Sequence, residues 1–231
     1  MVSVPSGIQV LDRAVLLVDT IAQAGACTLA DLVESTDLPR PTAHRLAVAL
    51  ERQGVLARDA DGRFVLGGRL VGWGAIAGRG LAGAAAPVLA ELVASTGESA
   101  QLYVRAGDRR VCVAVHDRPS GLRDSVPLGA VMPLERGSGG KVLLAWAGDA
   151  ADFDVDAAAL AAVRRRGWAE TVGEREAGVA SVSAPVRSGA GEVLAAIGVS
   201  GPIERLGTRP GRRLARAVVS AAERLGSVIA G

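Results

Sequence analysis

The segment Thr36–Leu56, TDLPRPTAHRLAVALERQGVL, contains the pattern that decides the fold of the N-terminal part of the chain. Its apolar residues recur at steps of three and four, which predicts a short amphipathic helix with one buried face. That stripe consists of Ala43, Leu46, Ala47 and Leu50. Polar and cationic residues crowd the start and the outer side of the same helix, namely Arg40, Thr42, His44, Arg45 and Arg52. Packing accounts for the stripe but not for this outer face.

The flanking sequence predicts two helices before this one and a hairpin after it. Apolar residues over 8–24 have helical spacing, and Thr28 can cap a second helix with Asp31 placed three residues on, where a carboxylate is favoured. A short link with Pro39 leads to the third helix, in which Pro41 is tolerated because it lies at the start. Two strand-like runs, VLARD and RFVLG, then flank Asp61-Gly62, a favoured hairpin turn. This order is that of a winged helix-turn-helix.

In such a domain the third helix enters the major groove, and its N-terminal side chains reach base edges or phosphates. The outer face described above, with Arg45 and Arg52 opposite the stripe, is interpreted as a DNA-binding surface. A merely solvated helix face is the alternative. His44 is equally compatible with packing or a base contact. Arg58 and Arg63 flank the hairpin tip, where they could contact the phosphate backbone or serve as solubilising charges.

The composition favours a globular protein of two modest domains. The chain has 231 residues, of which 49% are hydrophobic, and its net charge is only +2. Lys141 is the single lysine, so a basic function depends on local arginine clusters. Cys27 and Cys112 suggest neither a disulfide framework nor a metal site. No signal peptide or run of roughly 18 apolar residues is found, so a cytoplasmic location without membrane contact is expected.

The rest of the sequence predicts an α+β fold with a second domain. A glycine-rich connector separates a DNA-binding domain over 1–67 from a domain over 84–231, with a linker helix over 68–83. Strands are predicted over 101–107, 109–115, 178–186 and 192–201, the last two joined by a turn at 188–191. Helices are predicted near 87–95, 139–146, 156–166 and 209–229, the last strongly amphipathic.

A possible ligand site combines a helix start with two strands. Ser138 and Gly139 lie at a glycine-rich helix entry, where free backbone N–H groups suit a carboxylate. Alternation places Ser181 and Ser183 on one face of their strand, and Gly198 and Ser200 on one face of the next. These hydroxyls are satisfied either by the fold or by a ligand. No arginine or lysine points inward on the two strands, so backbone N–H groups and hydroxyls would hold an effector carboxylate.

An enzyme is the competing class of function. The segment Gly78–Gly83, GRGLAG, formally matches a dinucleotide-binding glycine motif, with Glu98 as the ribose-binding acid. The glycines before it make a poor buried strand, and no alternating parallel series follows. No other catalytic set is present, since the chain lacks GxSxG and HExxH motifs and has only two histidines. No catalytic residue, metal or cofactor is therefore expected.

The segment from Leu29 to Gly67, LADLVESTDLPRPTAHRLAVALERQGVLARDADGRFVLG, resembles the N-terminal half of the IclR family of bacterial transcriptional regulators. The likeness continues in GSGGKVLLAW, RRRGWAETVGEREAGVASVSAPV and VLAAIGVSGPIERL. ESAQLYVRAGDRRVCVA and SGLRDSVPLG are especially similar to NdgR/LtbR-type regulators of leucine and other amino-acid biosynthesis. The resemblance implies a winged-helix domain that binds double-stranded operator DNA, a linker helix and a GAF-like domain that binds a small effector. It also implies homodimers, commonly paired into tetramers.

The same resemblance implies where the effector binds. The family's pocket is lined from positions that match Ser138 and Gly139, the segment from Thr171 to Glu174, and Ser181, Gly198 and Ser200. An amino acid or small carboxylate is the expected effector. Two departures matter: many members have serine where this chain has Pro41, and the best-known pocket has aspartate and cysteine where this chain has Thr171 and Ser181. The keto-acid ligands of that pocket are therefore not assumed here.

Overall fold

The computed structural model describes residues 7–77 and 80–230, and the chain forms two compact units, one ending at Gly78 and the other beginning at Arg79. Each unit has its own hydrophobic core. The first unit consists of α1 (Gln9–Ala24), α2 (Leu29–Thr36), α3 (Arg40–Arg52), β1 (Leu56–Arg58), β2 (Phe64–Leu66) and α4 (Gly68–Ala77). The predicted order of three helices followed by a hairpin is present.

Helix α2 begins at a complete capping box. The Thr28 N–H donates to Oδ2 of Asp31 at 2.8 Å, and the Asp31 N–H donates to Oγ1 of Thr28 at 3.2 Å. The helix ends at Asp37, whose φ of 53° is left-handed, and three residues later α3 begins. This tight link brings Leu32, Ala43 and Ala47 into one buried core.

The hairpin is fixed by its tip and by a contact to the segment before α2. β1 and β2 pair antiparallel, and Oδ1 of Asp59 accepts hydrogen bonds from the backbone of Asp61 and Arg63. Cys27 exchanges two backbone hydrogen bonds with Phe64, at 2.9 and 2.7 Å. The hairpin is therefore joined to the helices by backbone bonds as well as by side-chain packing.

The second unit is a six-stranded antiparallel sheet with helices on both faces, and its strand order is β5-β4-β3-β8-β7-β6. Its strands are β3 (Ser99–Ala106), β4 (Arg109–His116), β5 (Val131–Pro133), β6 (Ala169–Val172), β7 (Val179–Arg187) and β8 (Val193–Pro202). Its helices are α5 (Leu81–Thr96), α6 (Ser138–Ala145), α7 (Ala157–Arg166), α8 (Ile203–Leu206) and α9 (Gly211–Ala230), with a 3-10 turn at Ala150–Asp152.

The two faces of this sheet differ in chemistry. Leu102, Val182 and Ile197 point to the face covered by α5 and α9, which is uniformly apolar. The opposite face packs against α6 and α7 at Tyr103 and Ala169. Toward the other ends of its central strands, that second face carries polar side chains instead of apolar ones.

The structure differs from the sequence prediction in the connector and in the second unit. The helix expected near 87–95 begins at Leu81 and contains Pro87 in its interior. A proline usually marks a helix start because it lacks a backbone N–H, and for that reason the sequence prediction placed the start too late. The connector predicted over 68–83 contains α4 and the first turn of α5, while Gly78 and Arg79 lie outside the described residues. Strands β5 and β6 were not predicted, since three or four residues are too few to show alternation.

Within the described ranges, no helix combines the length and the apolar character that crossing a membrane requires.

Helix α6 approaches the sheet at glycine positions. A Cβ built on Gly140 would lie 2.0 Å from the carbonyl oxygen of Leu134 and 2.6 Å from a guanidinium nitrogen of Arg110. Both distances are far below van der Waals contact, and the nearer atom belongs to the backbone. Gly140 is therefore required for the close approach of this helix.

Thr28→Ala should lower the free energy of unfolding of the first unit by about 1 kcal/mol, because it removes the cap of α2. Urea unfolding followed by circular dichroism measures this change. Ser35→Ala on the exposed side of the same helix is the control, with an expected change within about 0.5 kcal/mol. Equal effects of the two substitutions would contradict a stabilising cap.

Gly140→Ala should destabilise the second unit by about 2 to 3 kcal/mol, because the added methyl group overlaps backbone. Gly148→Ala adds the same methyl group where nothing lies within 4 Å, and its φ is not in the left-handed region. Thermal unfolding of both variants beside the unsubstituted chain tests the difference. If Gly140→Ala were as stable as Gly148→Ala, the close approach of α6 would be wrong.

Candidate nucleic-acid interface and ligand site

The outer face of α3 is exposed and cationic. Arg40, His44, Arg45 and Arg52 are exposed, Thr42 is half-buried, and the buried side of the helix consists of Ala43 and Ala47. Among residues 7–77 and 80–230, the side chains of the three arginines form no hydrogen bond or ion pair. The first turn of α3 contains no acidic residue, although a helix N-terminus favours negative charge. A bound polyanion would interact favourably with the positive N-terminal end of α3 and would also pair with the arginine side chains.

The two arginines at the hairpin tip are engaged within the chain. Arg63 pairs with Asp59 at 2.8 Å and with Asp61 at 3.1 Å. Arg58 pairs with Glu51 at 3.2 Å, donates to the carbonyl oxygen of Gly62 and stacks over the ring of Phe64. The tip is thus close to electrically neutral, whereas the outer face of α3 is not. Of the two predicted contacts to DNA, the one on α3 has the stronger structural support.

The polar patch on the second face of the sheet consists of two rows of directly paired residues. One row runs across four strands through Thr171, Ser181, Ser200 and Ser99. The adjacent row contains Ala169, Ser183, Gly198 and Gln101. Paired residues of an antiparallel sheet point to the same side, so the register brings together the hydroxyls of four strands.

The hydroxyls on the β6 and β7 side of the patch form one hydrogen-bonded cluster. Oγ of Ser138, at the start of α6, lies 2.8 Å from Oγ of Ser181 and 2.7 Å from Oγ of Ser183. Oγ1 of Thr171 lies 2.9 Å from the same Ser181 oxygen. Ser138 and Ser183 are both buried, while Ser181 keeps partial exposure. We call Ser138, Thr171, Ser181 and Ser183 the hydroxyl cluster.

Both glycines of the predicted site are positions of close packing. A Cβ on Gly198 would lie 2.3 Å from Oγ of Ser183, and a Cβ on Gly139 would lie 3.0 Å from the ring of Tyr103. Burial raises the pKa of Tyr103 far above its usual value, so the phenol is neutral at physiological pH. These two glycines hold the hydroxyl cluster together by leaving room for it.

The entry of α6 already holds a carboxylate that belongs to the chain. Oε2 of Glu174 accepts a hydrogen bond from the Gly137 N–H at 3.3 Å, and Oε1 forms an ion pair with Lys141. The sequence prediction was that no arginine or lysine points inward on β7 and β8; β7 ends in Arg187, which stacks over the ring of Trp146. That prediction was incomplete for the site, because α6 and the loop after β6 contribute Lys141 and Arg175. Charge at the site is therefore handled by ion pairs as well as by dipoles.

Two further arginines order the loops around the site. Arg175 pairs with Asp124, a buried carboxylate of the long segment 117–130. Burial alone would lower the pKa of Arg175, but the hydrogen bond and charge of Asp124 outweigh it and raise that pKa. Arg110 is buried and donates to the carbonyl oxygens of Pro133 at 2.5 Å and Arg136 at 2.6 Å, and burial lowers its pKa.

The structure thus brings the predicted effector-site residues into one region, with Glu174 at its edge. Sequence reasoning missed Gln101, Lys141, Arg175 and Asp124. Gln101 could have been noticed as a polar residue between the apolar residues Ala100 and Leu102, whereas the ion pairs involve loops whose positions the sequence does not indicate. Ser200 donates a hydrogen bond to Oε1 of Gln101 at 3.1 Å.

The dinucleotide-binding alternative is contradicted by the fold. Gly78 and Arg79 of the motif lie outside the described residues, but the segment before them is helix α4, where nucleotide binding requires a buried strand. All five strand pairings of the sheet are antiparallel, not the parallel series of that fold. No group of side chains in the described ranges is suited to hold a metal ion. Both cysteines are buried, and burial raises the pKa of Cys112 to about 11.

Comparison with known protein families gives two matches that cover most of the chain. Residues 10–60 match the model of the IclR helix-turn-helix domain. Residues 74–155 and 157–227 match the model of the bacterial transcriptional regulator IclR C-terminal domain.

Relatives with curated names are regulators. The chain is 31% identical to the HTH-type transcriptional regulator BhcR of Paracoccus denitrificans over 95% of its own length and 86% of that protein. It is 32% identical to the glycerol operon regulatory protein of Streptomyces griseus over 86% of its length and 87% of that protein. Its fold resembles an IclR homolog of Microbacterium hydrocarbonoxydans complexed with 4-hydroxybenzoate, with a TM-score of 0.75, 24% identity and coverage of 95% and 99% of the two chains. The chain therefore belongs to the IclR family of bacterial transcriptional regulators.

Proposed function

We propose that this regulator binds operator DNA through the outer face of α3 and that a small molecule bound at the hydroxyl cluster controls this binding. The observation that carries the first part is the set of arginines on α3, which are exposed and unpaired in the described chain. They lie within residues 10–60, the range that matches the model of the IclR helix-turn-helix domain. Arg40 and Thr42 lie in its first turn, where side chains reach base edges or phosphates most directly.

Within this surface, Arg45 is the proposed base contact and Arg63 a backbone contact. Arg45 and Arg52 lie two helical turns apart on one side of α3, and Arg40 lies one turn before His44. A free guanidinium can bind a guanine edge through two hydrogen bonds, which distinguishes one base pair from another. Arg63 must break or weaken its ion pair with Asp59 before it can bind a phosphate, so its contribution to the free energy of DNA binding is smaller.

The proposed effector is an amino acid or another small carboxylate. Ser138, Thr171, Ser181 and Ser200 offer hydroxyls, and the entry of α6 at Gly137–Gly139 offers backbone N–H groups. The site also has a carboxylate of its own, Glu174, in contact with one of these N–H groups. An effector carboxylate at the same place would replace Glu174 there and release Lys141, which provides a route from binding to a change in the loops.

Control of leucine or other amino-acid biosynthesis is proposed only from the resemblance of segments 98–114 and 120–129 to regulators of those genes.

A homodimer or tetramer is proposed because α1 exposes Val10, Leu11 and Val15, with Val71 and Trp73 exposed on α4. A cytoplasmic location follows from the proposed contact with operator DNA.

Arg45→Ala should weaken binding to the chain's own promoter fragment by about 1 to 3 kcal/mol, with little change on random DNA. Arg63→Ala should weaken both equally and by less. Gel-shift titrations on both DNAs measure these changes, and Arg165→Ala on the exposed side of α7 is the control for lost charge. Equal losses for Arg45→Ala on promoter and random DNA would make Arg45 a backbone contact.

Binding to the promoter fragment should also fall steeply with salt concentration, because each neutralised phosphate releases counterions. Titrations at several ionic strengths give the slope of log affinity against log salt. A flat response, or no preference for the promoter fragment over random DNA, would contradict operator binding through α3.

Ser181→Leu should abolish the response of DNA binding to effectors while changing operator affinity by a few-fold at most, because the two sites lie in different units. Thermal shift with amino acids and keto acids identifies ligands of the unsubstituted chain. Calorimetric titration of such a ligand with and without operator DNA then measures coupling, which must be equal in both directions. If the ligand affinity were identical in the two titrations, ligand binding and operator binding would not be coupled, and the chain would be a regulator that does not respond to this ligand.

A further inference from the structure

Gln101 is a buried polar residue on the patch beside the hydroxyl cluster. It lies on β3, only 1% of its surface is exposed, and its sheet neighbours are Gly198 on β8 and Val115 on β4. Its chain neighbours Ala100 and Leu102 point to the apolar face covered by α5 and α9. A residue at such a position in the centre of a sheet is ordinarily apolar or fully hydrogen-bonded.

The Gln101 amide has one satisfied end and one unsatisfied end. Oε1 accepts the hydrogen bond from Ser200, but Nε2 is buried and has no partner in the described part of the chain. Exchanging the amide oxygen and nitrogen does not remove the problem. Ser200 would then accept from Nε2, and the oxygen would be left without a donor.

The neighbourhood of Gln101 does not compensate for this orphaned group. Ser99, two residues before it on the same face, has its hydroxyl oxygen occupied by the Arg118 N–H at 3.2 Å. Ser183, across the sheet beyond Gly198, is bonded to Ser138. Two more buried atoms without partners among the described residues, Oδ1 of Asp117 and Nε of Arg118, belong to the segment that reaches Ser99. The other two such atoms, Nε of Arg109 and Nε of Arg110, lie at the opposite end of β4.

We infer that Gln101 is a specificity-determining residue of the effector site, and that its Nε2 donates to a carbonyl, carboxylate or hydroxyl oxygen of the bound effector. The inference rests on the proposed effector function of this patch. A buried donor without an acceptor costs free energy in the ligand-free protein, and an oxygen that fills the position recovers it. Analogues that lack this oxygen are rejected for the same reason, because they leave the donor unpaired.

The geometry also indicates how the effector lies. The row of hydroxyls from Thr171 and Ser181 to Ser200 leads across the sheet to Gln101, one row further along. An effector that contacts both the hydroxyl cluster and Gln101 therefore spans β7, β8 and β3. Such an effector has polar groups at both of its ends. One end binds at Ser181, and the other carries the oxygen that accepts from Gln101.

The first test measures the stability of the chain of 231 residues without any ligand. The double variant Gln101→Met/Ser200→Ala replaces both members of the half-satisfied pair with apolar groups of similar size. It should raise the Tm of the second unit by about 2 to 4 °C, because the orphaned donor is removed. The control variant Ser183→Ala breaks a satisfied hydrogen bond and should lower the Tm. An unchanged or lower Tm in the double variant would show that Gln101 is satisfied in the ligand-free protein, by a trapped water for example, and would overturn the inference.

The second test uses three probes one at a time, L-leucine, glycerol and 4-hydroxybenzoate. Any probe that raises the Tm of the unsubstituted protein should bind Gln101→Met at least tenfold more weakly by calorimetry. Gln101→Glu, which keeps the shape but loses the donor, should weaken binding of a carboxylate probe further. Unchanged affinity in both variants would overturn the inference. Promoter binding by the unsubstituted protein tests the proposed function separately, since the ligand-free stability result does not depend on it.

Discussion

The arrangement of the polar patch in the second unit depends on one contact, the two hydrogen bonds that join the Ser138 hydroxyl at the start of α6 to the hydroxyls of Ser181 and Ser183 on β7. Packing around these hydroxyls is close: a Cβ on Gly139 would meet the ring of Tyr103 at 3.0 Å, and one on Gly198 would meet Oγ of Ser183 at 2.3 Å. The helix entry, the loop from Gly173 to Gly178 and the ends of β7 and β8 consequently meet in one place. Without Ser138 the buried hydroxyl of Ser183 would lose the hydrogen bond that joins it to α6.

The two units use polar groups in opposite ways. On α3 the cations are left unpaired and exposed, where water solvates them until a polyanion arrives. In the sheet unit Lys141 is paired with Glu174 and Arg175 with Asp124, while the neutral amide of Gln101 has a nitrogen without a partner among the described residues. Exposed charge supports long-range attraction, whereas a buried dipole discriminates between ligands at contact.

The sequence was sufficient where local rules decide the structure. The cap at Thr28, the stripe of Ala43 and Ala47, and the turn at Gly62 are each set by a few neighbouring residues, and the predicted elements are present. Alternation likewise placed Ser181 and Ser183 on one face. The pairing of Ser181 with Ser200, and of Gln101 with Gly198, depends on strand order and register, which no local pattern specifies. The Glu174 carboxylate at Gly137 depends on a loop conformation, and for that reason the internal ion pair was missed.

The single lysine of the chain gives the site a chemical label of its own. Nζ of Lys141 is the one side-chain amine in the whole sequence, and the structure places it in an ion pair that shields it from solvent. Amine-directed acylation consequently has a single side-chain target, and its rate at that target depends on how often Glu174 releases the ammonium group. Acylation of the peptide that contains Lys141, measured by mass spectrometry separately from the α-amine, therefore reports the opening of the ligand site with no background from other lysines.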